Sequence, residues 1–194
     1  MTIYARDVIK KGEPIYHSYA RSFTTTTLRR VMLFSGKHFG CECLRCVDPK
    51  ELGSYCSALL CQKCPSQAAA AVLPKQPLDL NSEWTCVECD TPYEMGGPQI
   101  ASMERSLTMQ LESVDRTDIQ GLENFVLQYE NLLHPNHASM ISAKQLLSVG
   151  YGRFGGYEKS RLSHLQLDRK IQLCREVYKV TQIVEGGIAT KIGK

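Results

Sequence analysis

Cys41-Glu-Cys-Leu-Arg-Cys46, followed by Cys61-Gln-Lys-Cys64 and Cys86-Val-Glu-Cys89, gathers eight of the nine cysteines of this 194-residue chain into one stretch, with Cys56 the remaining member. Thiols this close together in a globular chain share a ligand or a covalent partner. The second and third groups have the Cys-x-x-Cys spacing in which one tight turn presents both sulfurs to one metal. Together Cys61, Cys64, Cys86 and Cys89 complete a tetrahedral sulfur set for zinc. The 21-residue connector between the pairs is tolerable because loop-closure entropy grows slowly with length. The first group, Cys41, Cys43 and Cys46, supplies three sulfurs and needs a fourth ligand. Cys56 and His38 are the nearest candidates, Cys56 reading otherwise as a small buried side chain and His38 as a surface or packing residue.

Working outward, the composition is that of a folded protein: 43% hydrophobic, 22% charged and a formal charge of +3 with its lysines and arginines scattered. That balance requires neither nucleic acid nor an acidic membrane surface. Met1-Thr-Ile-Tyr-Ala-Arg6 has no apolar signal segment, and no run approaches the roughly 18 apolar residues of a membrane span. A reducing compartment, cytoplasmic or nuclear, is therefore expected, where zinc is favoured over disulfides. The odd number of cysteines points the same way.

Upstream of the cysteines, residues 2–8 and 14–19 read as two strands around the turn Lys10-Lys11-Gly12-Glu13. Two strands alone are marginal in water, so residues 1–40 read as the end of a larger β domain whose earlier strands lie outside this sequence. Four threonines at 24–27 can each cap a short helix over about 24–35. The connector 65–85 reads as a long finger, a β-ribbon near Trp84. From about Gln99 onward apolar residues recur at helical spacing. Leu122, Phe125, Val126, Tyr129 and Leu132 form one face that stops at His134-Pro135; Met140, Ile141, Lys144 and Leu147 begin the next helix. After a glycine-rich break at 150–156, residues 162–180 form a longer helix ending near Gly186-Gly187, with Cys174 expected in the core. Successive helices of this length suggest a helix-pair array of the tetratricopeptide kind, although no clean repeat is present.

The segment Tyr4-Ala-Arg-Asp-Val-Ile-Lys-Lys-Gly-Glu-Pro-Ile-Tyr-His-Ser-Tyr19, with Thr27-Leu-Arg-Arg30 and Phe39-Gly-Cys-Glu-Cys-Leu-Arg-Cys46, resembles the end of a SET domain and its post-SET segment. Asp48-Pro-Lys-Glu-Leu-Gly53, the two Cys-x-x-Cys pairs and Leu133-His-Pro-Asn-His137 extend the resemblance to the SMYD family, in particular its arthropod SmydA-type branch. The resemblance implies an α+β chain: a small β remnant of a SET domain (1–40), a post-SET cysteine-rich zinc module (41–97) and an incomplete tetratricopeptide-like all-α array (98–194).

It also implies methyl transfer from S-adenosylmethionine to a protein lysine. Tyr19 matches the tyrosine whose hydroxyl lies by the reacting amine, and both it and Phe39, the match for the aromatic against the adenine, belong to the cofactor side. Cys41, Cys43 and Cys46 match three post-SET zinc ligands. The family's fourth ligand belongs to an Asn-His-x-Cys motif that also holds the cofactor, and this sequence contains no such motif. It likewise has no glycine-rich cofactor segment and no MYND zinc finger. The expectation is thus the C-terminal portion of a SET-type lysine methyltransferase, inactive by itself. The alternative is a non-catalytic, zinc-stabilised scaffold that binds a protein partner along the helical array. A nucleic-acid-binding ribbon is disfavoured because residues 65–85 carry one basic side chain, Lys75.

Overall fold

The computed structural model describes residues 8–13, 18–64 and 70–185. The expected hairpin strands fall largely outside the described residues. Its turn is present: Gly12 takes φ +91°, and the Glu13 amide donates to the Lys10 carbonyl at 3.0 Å.

Helix α1 (Thr26–Lys37) begins where the threonine run ends. Of the possible caps Thr25 takes the position, its backbone extended and its hydroxyl accepting from the Leu28 amide. His38 closes the helix in the left-handed conformation, its amide donating to the Phe34 carbonyl at 3.1 Å. A single turn, α2 (Leu44–Val47), follows within the first cysteine group. Three short strands, β1 (Leu59–Leu60), β2 (Ala71–Pro74) and β3 (Trp84–Cys86), form an antiparallel sheet in that order. Val72 is opposite both Leu59 and Cys86. The β-ribbon expected near Trp84 is therefore the β2–β3 pair.

Four helices complete the described chain: α3 (Gly97–Ser113), α4 (Ile119–Tyr129), α5 (Ala138–Gly150) and α6 (His164–Glu185). Gly97 is required where α3 starts, because a Cβ there would lie 2.0 Å from the Leu80 carbonyl oxygen. Asp118 and His137 cap α4 and α5 through side-chain acceptors. Among the described residues no helix is long and apolar enough to cross a membrane.

Sheet and helices share one core. Leu59, Val72, Trp84 and Cys86 pack in the same cluster as Ile100, Leu122, Leu133, Leu147 and Leu173. The backbone joins them as well. The Leu60 amide donates to Leu132 O at 2.9 Å, the His134 amide to Ala58 O at 3.2 Å and the Ala138 amide to Cys56 O at 2.8 Å. Residues 56–60 thus bond to the α4–α5 connection and the start of α5, and Leu59 and Leu60 also pair with β2.

The structure corrects one expectation on α6. Leu173 is fully buried, whereas Cys174 is exposed. Adjacent helical positions point about 100° apart, so only one of the two can face α5, and the larger leucine does.

Candidate metal centre

The second and third cysteine pairs converge. The sulfurs of Cys61, Cys64, Cys86 and Cys89 all lie within 4.8 Å of one another. Cys61 Sγ is 3.8 Å from Cys89 Sγ, and Cys64 Sγ is 3.6 Å from Cys86 Sγ. A zinc tetrahedron with Zn–S bonds of about 2.3 Å has sulfur–sulfur edges of about 3.8 Å, so the donor set fits that ion. Cys61 is placed by β1 and Cys86 by β3, which makes the small sheet the frame of the site. The second turn is tightened by Asp90 in the left-handed region, by the Asp90 amide donating to Cys86 O at 3.1 Å, and by the Glu88 amide directed at Cys86 Sγ, 3.4 Å away.

Three of the four thiols are perturbed by their surroundings. The hydroxyl of Thr91, 3.1 Å from the Cys89 sulfur, and then its backbone group draw the Cys89 thiol down to about 6. Hydrogen bonding with its neighbours, Cys89 first, pushes Cys64 up, and burial pushes Cys86 up. A coordinated dication favours the thiolate form of each sulfur it takes.

Cys41, Cys43 and Cys46 also bring their sulfurs within 4.8 Å of one another. The turn of α2 does this, with the Cys46 amide donating to Cys43 O at 2.8 Å. Neither candidate for a fourth ligand joins them. His38 is the exposed C-cap of α1, and Cys56 is fully buried with Ala138, Ile141 and Val180. The reading of Cys56 as a small core residue is the one the packing supports. Burial pushes the Cys46 thiol up to about 11, against the opposing pull of Arg29.

Sequence reasoning missed the polar structure behind this cluster. Arg29 is buried, with Nη2 3.7 Å from Cys46 Sγ and Nη1 2.8 Å from Glu51 Oε2. Arg45 Nε donates to the same Glu51 oxygen at 3.0 Å, and the Ser57 hydroxyl donates to the other. Arg29 was visible in Thr27-Leu-Arg-Arg30 and Glu51 in Asp48-Pro-Lys-Glu-Leu-Gly53, but neither motif reveals that the two side chains meet. Beyond them, Glu104 of α3 is buried, with Oε2 accepting from the Thr25 hydroxyl at 2.8 Å and Oε1 without a partner among the described residues. Burial raises its carboxyl to about 8.

Tyr19 and Phe39 are brought together, their ring centroids 6.0 Å apart and edge to face at 71°, beside the first cysteine cluster in the chain. Both rings are substantially exposed. Leu133-His-Pro-Asn-His137 serves the α4–α5 connection. His134 Nδ1 accepts from the Asn136 amide and His137 Nδ1 from the Ser139 amide, while burial holds the two imidazoles down to about 4 and about 3.

No protein-family model matches the chain. It is 36% identical over 93 residues to SET domain-containing protein SmydA-8, isoform B, of Drosophila melanogaster, and 36% identical over 89 residues to isoform A. These alignments cover 48% and 46% of this chain but 20% and 19% of the relatives, so the chain spans about a fifth of the length of the curated relatives it matches. The chain is thus similar over about half its length to SET domain-containing proteins, and it carries one four-sulfur and one three-sulfur cysteine cluster.

Proposed function

We propose that this chain is the C-terminal portion of a SET-type protein-lysine N-methyltransferase, in which the cysteine module is a zinc-held structural element. The observation that carries the reading is the pairing of a complete four-sulfur site with a second, three-sulfur cluster directly after Phe39, in a chain similar to a SET-domain protein. S-adenosylmethionine, when bound, supplies a methyl group on a sulfonium centre. The ring of Phe39, edge to face with Tyr19 and partly exposed, offers an apolar surface to an adenine. The phenol of Tyr19 can accept or donate a hydrogen bond at a lysine nitrogen and so orient its lone pair. Without an Asn-His-x-Cys motif these 194 residues hold half a cofactor site, and the chain by itself is inactive. The soluble, reducing cytoplasm or nucleus is the setting that keeps its thiols available to zinc.

A second reading is a non-catalytic scaffold whose tetratricopeptide-like helices take a protein partner. The exposed apolar side chains Leu165, Leu167, Ile171 and Tyr178 on α6 favour it. Titrating the zinc-loaded chain with S-adenosylmethionine by calorimetry, with a parallel assay of methyl transfer to a lysine peptide, tests the first reading. The expected result is no turnover by this chain alone. Turnover would contradict the reading of an incomplete site, and a partner bound equally well after charged substitutions along α6 would contradict the scaffold.

A further inference from the structure

We infer that Arg29 is a positioning residue for a metal at Cys41, Cys43 and Cys46, holding its charge in balance from behind through the Glu51 carboxylate; the inference rests on the reading of that cluster as a zinc site. The three sulfurs do not explain the machinery packed against them. Arg29 is 5% exposed and Glu51 1%, and a charged group is rarely buried this deeply unless it is fully paired. Arg29 uses both terminal nitrogens: Nη1 donates to Glu51 Oε2 and to the Thr24 carbonyl at 2.6 Å, and Nη2 donates to the Thr26 hydroxyl at 2.7 Å and faces Cys46 Sγ at 3.7 Å.

The chain is strained to bring Glu51 here. Glu51 and Leu52 both adopt left-handed backbone, φ 49° and 62°, a conformation that disfavours side chains bearing a Cβ. The Asp48 carboxylate accepts from the Lys50 and Leu52 amides at 2.9 and 2.7 Å and holds that turn. The turn directs the Glu51 side chain inward, between Arg29 and Arg45.

The charges then complement a metal centre. Two guanidiniums against one carboxylate leave one positive charge beside Cys46. Three thiolates around a dication leave one negative charge. The four-cysteine site has a different surround: its sulfurs meet the Thr91 hydroxyl and the Glu88 amide, and Cys89 faces solvent, which can itself screen the excess charge. Groups outside the ligand shell that orient and compensate ligands change metal affinity by roughly 10- to 100-fold.

The test is a cobalt(II) titration of the metal-free chain, read by thiolate-to-cobalt absorption and followed by displacement with zinc, on wild type, R29K and R29M. Wild type takes one tight and one weaker equivalent. R29M, which keeps the length and loses the charge, weakens the weaker equivalent by roughly 10- to 100-fold and leaves the tight one unchanged; R29K restores most of the loss. Equal weakening in R29K and R29M overturns the charge role, and a weaker equivalent unchanged in R29M overturns the inference entirely. Should R29M lose both equivalents by unfolding, R29K decides: wild-type affinity supports the inference, and strong weakening overturns it. A wild-type chain that takes only one equivalent overturns the metal reading of this cluster, and the inference with it. Amide exchange gives an independent reading in wild type, where the second equivalent slows exchange at the Thr26 amide, bonded at 2.8 Å to Ser57 Oγ. No change there counts against coupling between cluster and network.

Discussion

Replacing Cys61 with alanine separates what the four-cysteine site contributes as packing from what it contributes as a metal centre. Cys61 is 4% exposed, belongs to the core shared by sheet and helices, and anchors its strand through its amide, 2.9 Å from Ala70 O. Deleting its sulfur from that packing costs roughly 1 kcal/mol, the scale of one buried methylene-sized group. Removing one of four zinc ligands costs more. At free zinc about a thousandfold above the dissociation constant, a metal that binds only the folded chain adds about 4 kcal/mol of stability, a large share of the 5–15 kcal/mol typical of a domain. Urea denaturation of wild type and C61A, each with excess zinc and each with a chelator, isolates the two contributions. The gap between the proteins should be about 5 kcal/mol with zinc, the metal and packing contributions together, and should shrink to about 1 kcal/mol when the metal is removed from both. An equal gap under the two conditions would refute the zinc site, because the sulfur would then matter only as packing.

Three further outcomes follow from buried groups. The raised carboxyl of Glu104 means that between pH 4.5 and about 8 the folded chain keeps a proton that the unfolded chain has released, so folding stability falls as pH rises through that window, by up to about 1.4 kcal/mol per pH unit. E104Q should remove this dependence, and its stability relative to wild type, measured by urea denaturation near pH 5 and near pH 8, should rise with pH. T25A removes both the α1 cap and the donor to Glu104, and should cost about 1–3 kcal/mol in thermal or chemical unfolding. On α6, L173A should cost about 2–5 kcal/mol, while C174S next to it should stay within about 0.5 kcal/mol of wild type.

Much of the local structure was legible because it is encoded in neighbouring residues. The two-residue spacing within Cys61–Cys64 and Cys86–Cys89 specifies the metal turns, since the geometry that brings the sulfurs together is complete within four positions. The start of α1 in the threonine run follows from capping, whereas α4 ends at Tyr129, before the His134-Pro135 expected to stop it. The helical periodicity of Leu122, Phe125 and Val126 marked a face that is indeed buried. The resemblance read from short motifs agrees with the 36% identity over 93 residues to a SET domain-containing protein.

What only the tertiary structure decided depends on partners distant in the chain. Leu173 and Cys174 are both apolar enough for a core, and only the position of α5 chose between them. Cys56 could have served as a ligand until its burial with Ala138 and Val180 showed where it points. The edge of residues 56–60 finds its hydrogen-bond partners about 75 positions away, between α4 and α5. Arg29 meets Cys46 and Glu51 across separations of 17 and 22 residues, through a left-handed turn that no glycine signals at Glu51. The sequence by itself determined the ligand pairs and the start of α1, because turns and caps are short-range. The tertiary structure decided which cysteines remain in the core or outside it and which charges pair beside Cys46, because burial and charge pairing exist only once distant segments share one space.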